Sequence, residues 1–550
     1  MNVSKVLIIG GVAGGASAAA RLRRLNEHIE IILFEKGEYI SFANCGLPYY
    51  IGGDIKNKAD LTLQTPLGFK KRFNIDVRTF NEVTAINKDE KTVTVLNHNT
   101  NETYEETYDI LLLSPGAEPI RPNIEGINLS RVFTLRNIPD TYRIKDYIDN
   151  FVPKAAAVIG GGYIGVEMAE NLVQAGLSVT IVEMQNQVIA PLDFDMASIL
   201  HNELERNGVT LKLETALEKI EEQGSSLKVV TNKGVFNTDM VILAIGVKPE
   251  TKIAAEAGLK LNQRGALIVD DNMKTSDDFI FAAGDAVEVT DFITNEKAVI
   301  PLAGPANKQG RIAADNICGI KSEYRGTQGS AILKVFNLTA SSTGITEKTA
   351  KRLGLNYEKS FTVSASHAGY YPGAEEMFIK TIFDKETGKI LGAQIVGSEG
   401  VDKRCDVIAA SINFKAAVSD LTKLELCYAP PYSSAKDPVN MAGYVAENIL
   451  NGISKIFHYH DVSSLPKDGS INLIDTRTKG EYMRGHIDGF INIPVDSLRE
   501  RMNEIDKSKP VYIVCQVGLR GYLACRILSG YGYDCYNLSG GYTLYKEIIK

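Results

Sequence analysis

The sequence predicts an α/β protein built from several domains. Three observations carry that expectation. Strands alternate with helical stretches through most of the first 320 residues, a glycine-turn βαβ unit occurs twice, and a last strand-and-helix unit closes the chain. At 550 residues the chain is too long for a single core. Domains of about 100 to 200 residues predict roughly three to five units.

The elements follow in order. A strand from Lys5 to Ile9 opens the chain, then a glycine turn and an Ala/Arg-rich helix, and a strand from Ile29 to Glu35 closes the first βαβ unit. The apolar run is broken at once by glycines and lacks the small-residue cleavage site of a signal peptide, so a first strand and a cytoplasmic protein are expected. No run approaches the ~18 apolar residues that span a bilayer, so no membrane partner is expected. The pattern restarts with a strand from Ala155 to Gly160, a helix to about Ala175 and a strand from Ser178 to Glu183. Around Thr275 to Asp285 the chain returns to the first unit. Strand-like segments Ala331 to Phe336, Met377 to Asp384 and Ile390 to Val396, with helices near 400–416 and 433–450, mark an α+β domain. The expected boundaries are 1–150 with 271–325 for the first domain, 151–270 for the second, 326–450 for the third and 460–550 for the last.

Composition excludes some functions. Hydrophobic residues make up 44%, charged residues 23%, and the net charge is −7, which argues against a nucleic-acid binder. Two local basic clusters, Arg21, Arg23 and Arg24, and Lys70, Lys71 and Arg72, are either solvated helix faces or places for a phosphate-bearing substrate. The seven cysteines at 45, 318, 405, 427, 515, 525 and 535 form no CxxC pair, so neither a metal site nor a thioredoxin-type dithiol is expected. Free thiols in a reducing compartment are expected instead.

The second glycine turn reads Gly160-Gly161-Gly162-Tyr163-Ile164-Gly165 after a strand. Gly160 permits the tight turn, Gly162 lets the backbone approach a pyrophosphate, and Gly165 lets the helix pack on the sheet, helped by Ala169. Glu183 follows 18 residues after Gly165, where a carboxylate suits free ribose hydroxyls. No Arg follows in Met184 to Gln187, so NADH is favoured, with NADPH possible. The first turn reads Gly10-Gly11-Val12-Ala13-Gly14-Gly15, with Val12 in place of the middle glycine, and Glu35 and Lys36 end the next strand. Two Rossmann-like dinucleotide-binding domains are therefore expected.

The run from Thr275 to Asp285, with Ser114-Pro115-Gly116 and the segment around Gly246, resembles the pyridine-nucleotide disulfide oxidoreductases over about residues 1–450. That resemblance implies FAD as a cofactor, with Asp285 hydrogen-bonding its ribityl chain. It also implies a dimerisation role for the α+β domain, and hence a homodimer. In Ser41-Phe42-Ala43-Asn44-Cys45-Gly46-Leu47-Pro48-Tyr49 the cysteine stands near the start of a helix, where its pKa is expected to fall. Most members carry a CxxxxC pair; here Cys45 is alone, so the second sulfur comes from a bound small thiol or the cysteine passes through a sulfenic acid. Ala13 stands where the oxidase and peroxidase members place a His. The string around Cys45, with Ser366-His367-Ala368-Gly369-Tyr370-Tyr371-Pro372 and Tyr428-Ala429-Pro430-Pro431-Tyr432, resembles the CoA-disulfide reductases. The resemblance implies Tyr370 and Tyr428 at the active site, at least one from the partner subunit, with Tyr371 as plausible as Tyr370. It implies CoA contacts at Ser17, Arg21, Arg24, Ser41, Asn44, Asn307 and Lys436, where position 307 is often His in the family. His367 is a candidate acid.

The last unit reads Asp475-Thr476-Arg477, Glu481-Tyr482 and Gly485-His486-Ile487, then a strand from Val511 to Val514 and the loop Cys515-Gln516-Val517-Gly518-Leu519-Arg520. It resembles a single-domain rhodanese. That implies a loop whose N–H groups stabilise a thiolate and then a persulfide on Cys515, with Arg520 tuning the charge. Asp475 and Arg477 are expected to hold the fold, and Cys525 and Cys535 to be core or surface thiols. Together these readings imply an NAD(P)H- and FAD-dependent reductase of CoA disulfide or CoA persulfide (polysulfide), acting through one redox cysteine. The alternatives are an NADH oxidase or peroxidase, and a reductase with a non-catalytic rhodanese docking module.

Overall fold

The computed structural model describes residues 3–549, which form two compact units. The first holds the chain up to Asn186 together with Gly208–Gly329; the second holds Gln187–Asn207 and the chain from Ser330 onward.

Two parallel sheets dominate the first unit. One has the order Ile280–Ala282, Ile110–Leu113, Lys5–Ile9, Glu30–Glu35, Asp76–Thr79. Its first strand is the returning segment, which pairs with Ile110–Leu113. The other has the order Thr210–Lys212, Ser178–Val182, Ala155–Ile159, Met240–Leu243, Val132–Thr134. Their middle strands are near-continuous Val, Ile, Leu and Ala runs because both faces are buried. Val132–Thr134 belongs to the second sheet, although the sequence places it in the stretch assigned to the first domain. Each half also carries a three-stranded antiparallel meander, Asn81–Asn87 to Glu102–Thr107 and Leu217–Gln223 to Gly234–Thr238, so the repeat is deeper than the glycine turns alone indicate. The helices Ala13–Leu25 and Ala303–Ile317 lie side by side. Their approach needs glycine: a Cβ on Gly310 would stand 2.2 Å from the Gly14 carbonyl.

In the second unit an antiparallel sheet runs Ala331–Val335, Leu338–Gly344, Ile390–Gly397, Glu376–Asp384, Tyr357–Ala365, covered by helices Val401–Asn413 and Pro438–Leu450. A parallel sheet follows: Ile456–Phe457, Cys535–Leu538, Val511–Val514, Asn472–Asp475, Ile491–Asn492. The Phe361 N–H donates to Ser539 Oγ at 3.0 Å and so ties one sheet to the other domain's loop. The helix Phe194–Arg206 groups with this unit, although the sequence counts it in the second nucleotide domain. Lys380 explains the grouping. Its side chain is 0% exposed, and its Nζ stands 3.1 Å from Asp193, 2.7 Å from Asp195 and 2.9 Å from Glu347. Among the described residues no helix is long and apolar enough to cross a membrane.

Candidate active site

The two glycine turns are built alike. In the first, Glu35 accepts from the Gly11 N–H at 3.0 Å and the Gly37 N–H at 2.9 Å. In the second, Glu183 accepts from the Gly161 N–H at 2.6 Å and the Gln185 N–H at 2.7 Å. Each carboxylate thus pins the turn while leaving oxygen lone pairs for a ribose. Gly10 has φ +97° and Gly160 has φ +105°, in the left-handed region where glycine is strain-free. A Cβ on Gly15 would stand 1.9 Å from the Gly10 carbonyl, and one on Gly165 1.9 Å from the Gly160 carbonyl. A Cβ on Gly162 would meet nothing within 4 Å. That open space above a helix N-terminus is a cradle of the right kind for a pyrophosphate. Val12 is the N-terminal flanking residue of the helix Ala13–Leu25, and Ala13 is its first residue. Ser114 abuts both Gly10 and Gly14 and leads into Pro115 and Gly116. Gly116 and Gly246 both have positive φ, +74° and +114°. Lys36 pairs with Glu250, which Arg136 also holds at 2.5 Å. The carboxylate of Asp285 has no hydrogen-bond partner among the described residues, and burial pushes its pKa up. A half-buried carboxylate with free lone pairs at this turn fits a hydroxyl-bearing ligand such as the ribityl chain of FAD.

Cys45 lies in a 3-10 turn, Asn44–Gly46, that runs straight into the helix Leu47–Gly52. The Ser41 N–H donates to the Gly11 carbonyl at 2.8 Å, which anchors the segment to the first glycine turn. Ser41 itself has φ +44°, an uncommon conformation for a side-chain-bearing residue. The thiol is exposed. Its pKa is raised, not lowered as its place at a helix start predicts: desolvation pushes it up, and Glu167 and then Asp285 add to the effect. Desolvation, with the two carboxylates behind it, outweighs one short helix end. Glu167 comes from the helix Tyr163–Gln174 of the second glycine turn and Asp285 from the returning segment of the first, so the thiol faces both nucleotide modules. Burial pushes Glu167 up to about 7, with Glu170 adding to the rise and a hydrogen bond from Tyr49 opposing it. The Tyr49 hydroxyl donates to Glu167 at 3.4 Å. Neither Glu167 nor Tyr49 is among the residues that sequence reasoning singled out. The available signal was Tyr49 one turn after Cys45, and a carboxylate two residues past Gly165.

Ser17, Arg21 and Arg24 share one face of the helix Ala13–Leu25. The Ser17 hydroxyl donates to Asn307 Oδ1, joining the two side-by-side helices, and Arg21 pairs with Asp315 at 2.7 Å. Arg24 and Asn44 are exposed. Arg23 is neither a solvated cation nor available to phosphate: it is buried, donating to the carbonyls of Phe73, Asn26, Glu27 and Asn74. Lys70, Lys71 and Arg72 form a solvated face. In the second unit the hydroxyls of Tyr370 and Tyr428 meet at 2.7 Å, both rings exposed. Tyr371 packs instead edge-on to His367, whose Nδ1 lies 3.2 Å from the Ala368 carbonyl. Lys436 is exposed.

Cys515 follows the strand Val511–Val514, and its loop turns at Gly518, φ +98°, into the helix Leu519–Gly530. The Gly518 N–H donates to Cys515 Sγ at 3.1 Å. Burial pushes this thiol up, against the N–H groups of Gly521, Gly518 and Val517 and the charge of Arg520. The nest is present, yet full desolvation sets the net direction, which is opposite to that expected of a nest alone. Arg520 forms a two-pronged pair with Glu481 at 2.8 and 2.6 Å. Arg477 pairs in the interior with Asp475 at 2.6 Å and lies over the Tyr542 ring. Cys525 and Cys535 are buried together in the apolar core.

Comparison with known proteins places this geometry. The pyridine nucleotide-disulphide oxidoreductase family matches residues 4–310, its dimerisation domain matches 330–438, and a rhodanese-like domain matches 459–548. A coenzyme A disulfide reductase of Staphylococcus epidermidis is 38% identical over 446 residues, 81% of this chain and 100% of that protein. The structure of reduced Bacillus anthracis CoADR-RHD superposes with a TM-score of 0.97 at 52% identity, covering 100% of this chain and 99% of the other. That of a NAD-dependent persulfide reductase from A. fulgidus gives 0.92 at 38% identity, covering 98% and 99%.

Proposed function

The chain belongs to the pyridine nucleotide-disulphide oxidoreductase family, and from that premise we propose that it reduces CoA disulfide or CoA persulfide through Cys45 while Cys515 handles sulfane sulfur. It is an oxidoreductase that uses FAD and NAD(P)H. The observation that carries the proposal is the place of Cys45: one exposed thiol, no second cysteine in its segment, with carboxylates of both nucleotide modules around it. FAD, when bound, passes the electrons of nicotinamide hydride on to sulfur.

The residues then divide the work. Glu35 with Lys36, Ser114 to Gly116 and Asp285 hold FAD, and the turn Gly160 to Gly165 with Glu183 and Gly246 holds the nicotinamide nucleotide. Ser17, Arg21, Arg24, Ser41, Asn44, Asn307 and Lys436 bind CoA, whose phosphates suit guanidinium groups. The Cys45 thiolate attacks the substrate disulfide or persulfide. A Cys45–CoA disulfide forms and CoA thiol or hydrosulfide leaves. Tyr370 and Tyr428, already sharing a hydrogen bond, supply the proton to the leaving sulfur, at least one of them from the partner in a cytoplasmic homodimer. Cys515 accepts sulfane sulfur and delivers it to CoA.

NADH oxidation assayed with CoA disulfide, CoA persulfide and glutathione persulfide tests this reading. Cys45→Ser is expected to reduce all three rates to background, and intact-mass spectrometry to find CoA on Cys45 of the purified protein. NADH-driven oxygen uptake that outpaces every disulfide and persulfide would mean an oxidase instead.

A further inference from the structure

Asn537 carries a buried acceptor with nothing to accept. The residue is 6% exposed, and its Oδ1 is buried without a hydrogen-bond partner, while its Nδ2 donates to the Gly518 carbonyl at 3.0 Å. Strand register places it beside Cys515. Asn537 stands opposite Ile513, two residues before Cys515, which directly follows that strand. Gly521 gives the local geometry: a Cβ there would lie 2.1 Å from Asn537 Oδ1 and 3.6 Å from Cys515 Sγ. Both atoms therefore flank one point beneath the helix Leu519–Gly530, without bonding each other. A persulfide adds a second sulfur about 2 Å beyond Sγ and lengthens the reach of Cys515 by that much.

We propose that Asn537 Oδ1 accepts the terminal S–H of a persulfide on Cys515 and so holds the outer sulfur as the atom to be handed on. The inference rests on the sulfurtransferase reading of this domain. An unsatisfied buried acceptor is costly in the resting enzyme and is relieved once the persulfide forms. Cys515 is 0% exposed, and the atom the incoming thiolate attacks is the outer sulfur that the persulfide adds beyond Sγ. That thiolate forms a new S–S bond to the outer sulfur, and the old S–S bond breaks with its electron pair left on Sγ. The Gly518 N–H, 3.1 Å away in the resting loop, receives that charge. The proton stays on the transferred sulfur. The products are a new persulfide and the Cys515 thiolate, with no net oxidation or reduction. Hydrogen bonding to the neutral form disfavours the anion, so the persulfide stays protonated and electrophilic to higher pH than it would without Asn537.

The test uses the full-length flavoprotein loaded with thiosulfate as sulfane donor. Iodoacetamide labelling of the Cys515 persulfide is followed across pH by peptide mass spectrometry. The pH of half-maximal labelling should fall by about one unit in Asn537→Leu, as loss of one hydrogen bond implies. Asn537→Asp, which keeps an acceptor but loses the tether to Gly518, should stay at or above the native value. Should Asn537→Leu not fold, Gly521→Ala, whose new methyl displaces Oδ1, should give the same downward shift. Equal midpoints in the native protein and Asn537→Leu, or Asp behaving as Leu, overturn the role of Asn537 and leave the transferase reading standing. No persulfide on native Cys515 overturns both.

Discussion

Cys45 and Cys515 are both pushed toward the protonated thiol, for different reasons. At Cys45 the desolvation is partial, and the carboxylates of Glu167 and Asp285 add to it. At Cys515 burial works against N–H groups that favour the anion. The difference makes Cys45 the tunable one. Above about pH 7 Glu167 is ionised and holds the Cys45 thiol up. Glu167→Gln removes that charge, so the half-point of Cys45 alkylation should move to lower pH, read by iodoacetamide labelling of the Cys45 peptide. The stability consequence has the opposite slope to that of a salt-bridged acid. The Glu167 pKa is raised on folding, so the unfolded chain ionises first and stability is lost as pH rises from about 4.5 to about 7. Melting temperatures across that window should decline less in Glu167→Gln than in the native protein.

At the scale of the element, the two glycine turns separate space needed by the protein from space left for a ligand. Gly165 touches its own turn, and a methyl there would stand 1.9 Å from the Gly160 carbonyl. Gly162 faces nothing within 4 Å and has φ −75°, which alanine adopts freely. Gly162→Ala should therefore melt within about 2 °C of the native protein, as a surface substitution does, yet bind NADH more weakly. Gly165→Ala should lower the melting temperature as well, through overpacking. Thermal melts beside the KM for NADH, with FAD content as the control, distinguish the two. A rise in the KM for NADH in neither variant would remove the second turn from the nucleotide site.

At the scale of the molecule, the second unit is organised around a charge. Lys380 is fully buried, yet three carboxylates hold its pKa above its ordinary value against the desolvation that would lower it. Burial pushes Asp193 and Glu347 up, and Lys380 outweighs it, leaving both below the usual carboxylate range. Groups with depressed pKa contribute stability above their unfolded pKa and lose it as the pH falls. Acid should therefore destabilise this unit once the pH drops below the ordinary carboxylate range. Lys380→Met leaves the buried carboxylates of Asp193 and Asp195 without their cation, while Glu347 keeps Lys359 and Lys351 at 2.8 Å, and should cost about 3–5 kcal/mol at pH 7. It should also reduce the drop in melting temperature between pH 5 and pH 3. Urea unfolding at pH 7 and thermal melts at pH 5 and pH 3 measure the two effects.

Much of this protein was decided locally and could be read from the chain. Each glycine turn, the strand before it and the carboxylate ending the next strand are set by backbone conformation and spacing, which a sequence states directly. Strands Lys5–Ile9 and Val511–Val514 lie where apolar patterning puts them, and the segment after Thr275 rejoins the first sheet. The single cysteine of the Ser41 to Tyr49 segment and the loop from Cys515 to Arg520 belong to the same legible layer. Only the tertiary structure decided what surrounds those groups. Glu167 reaches the neighbourhood of Cys45 from more than a hundred residues away, Asn537 comes to lie beside Cys515 by strand register, and Arg23 turns inward while Arg24 stays in water. A pKa, an orphaned acceptor and a buried ion cluster are sums over neighbours in space. Periodicity says which face of an element is buried; it does not say which charges the fold brings to meet there.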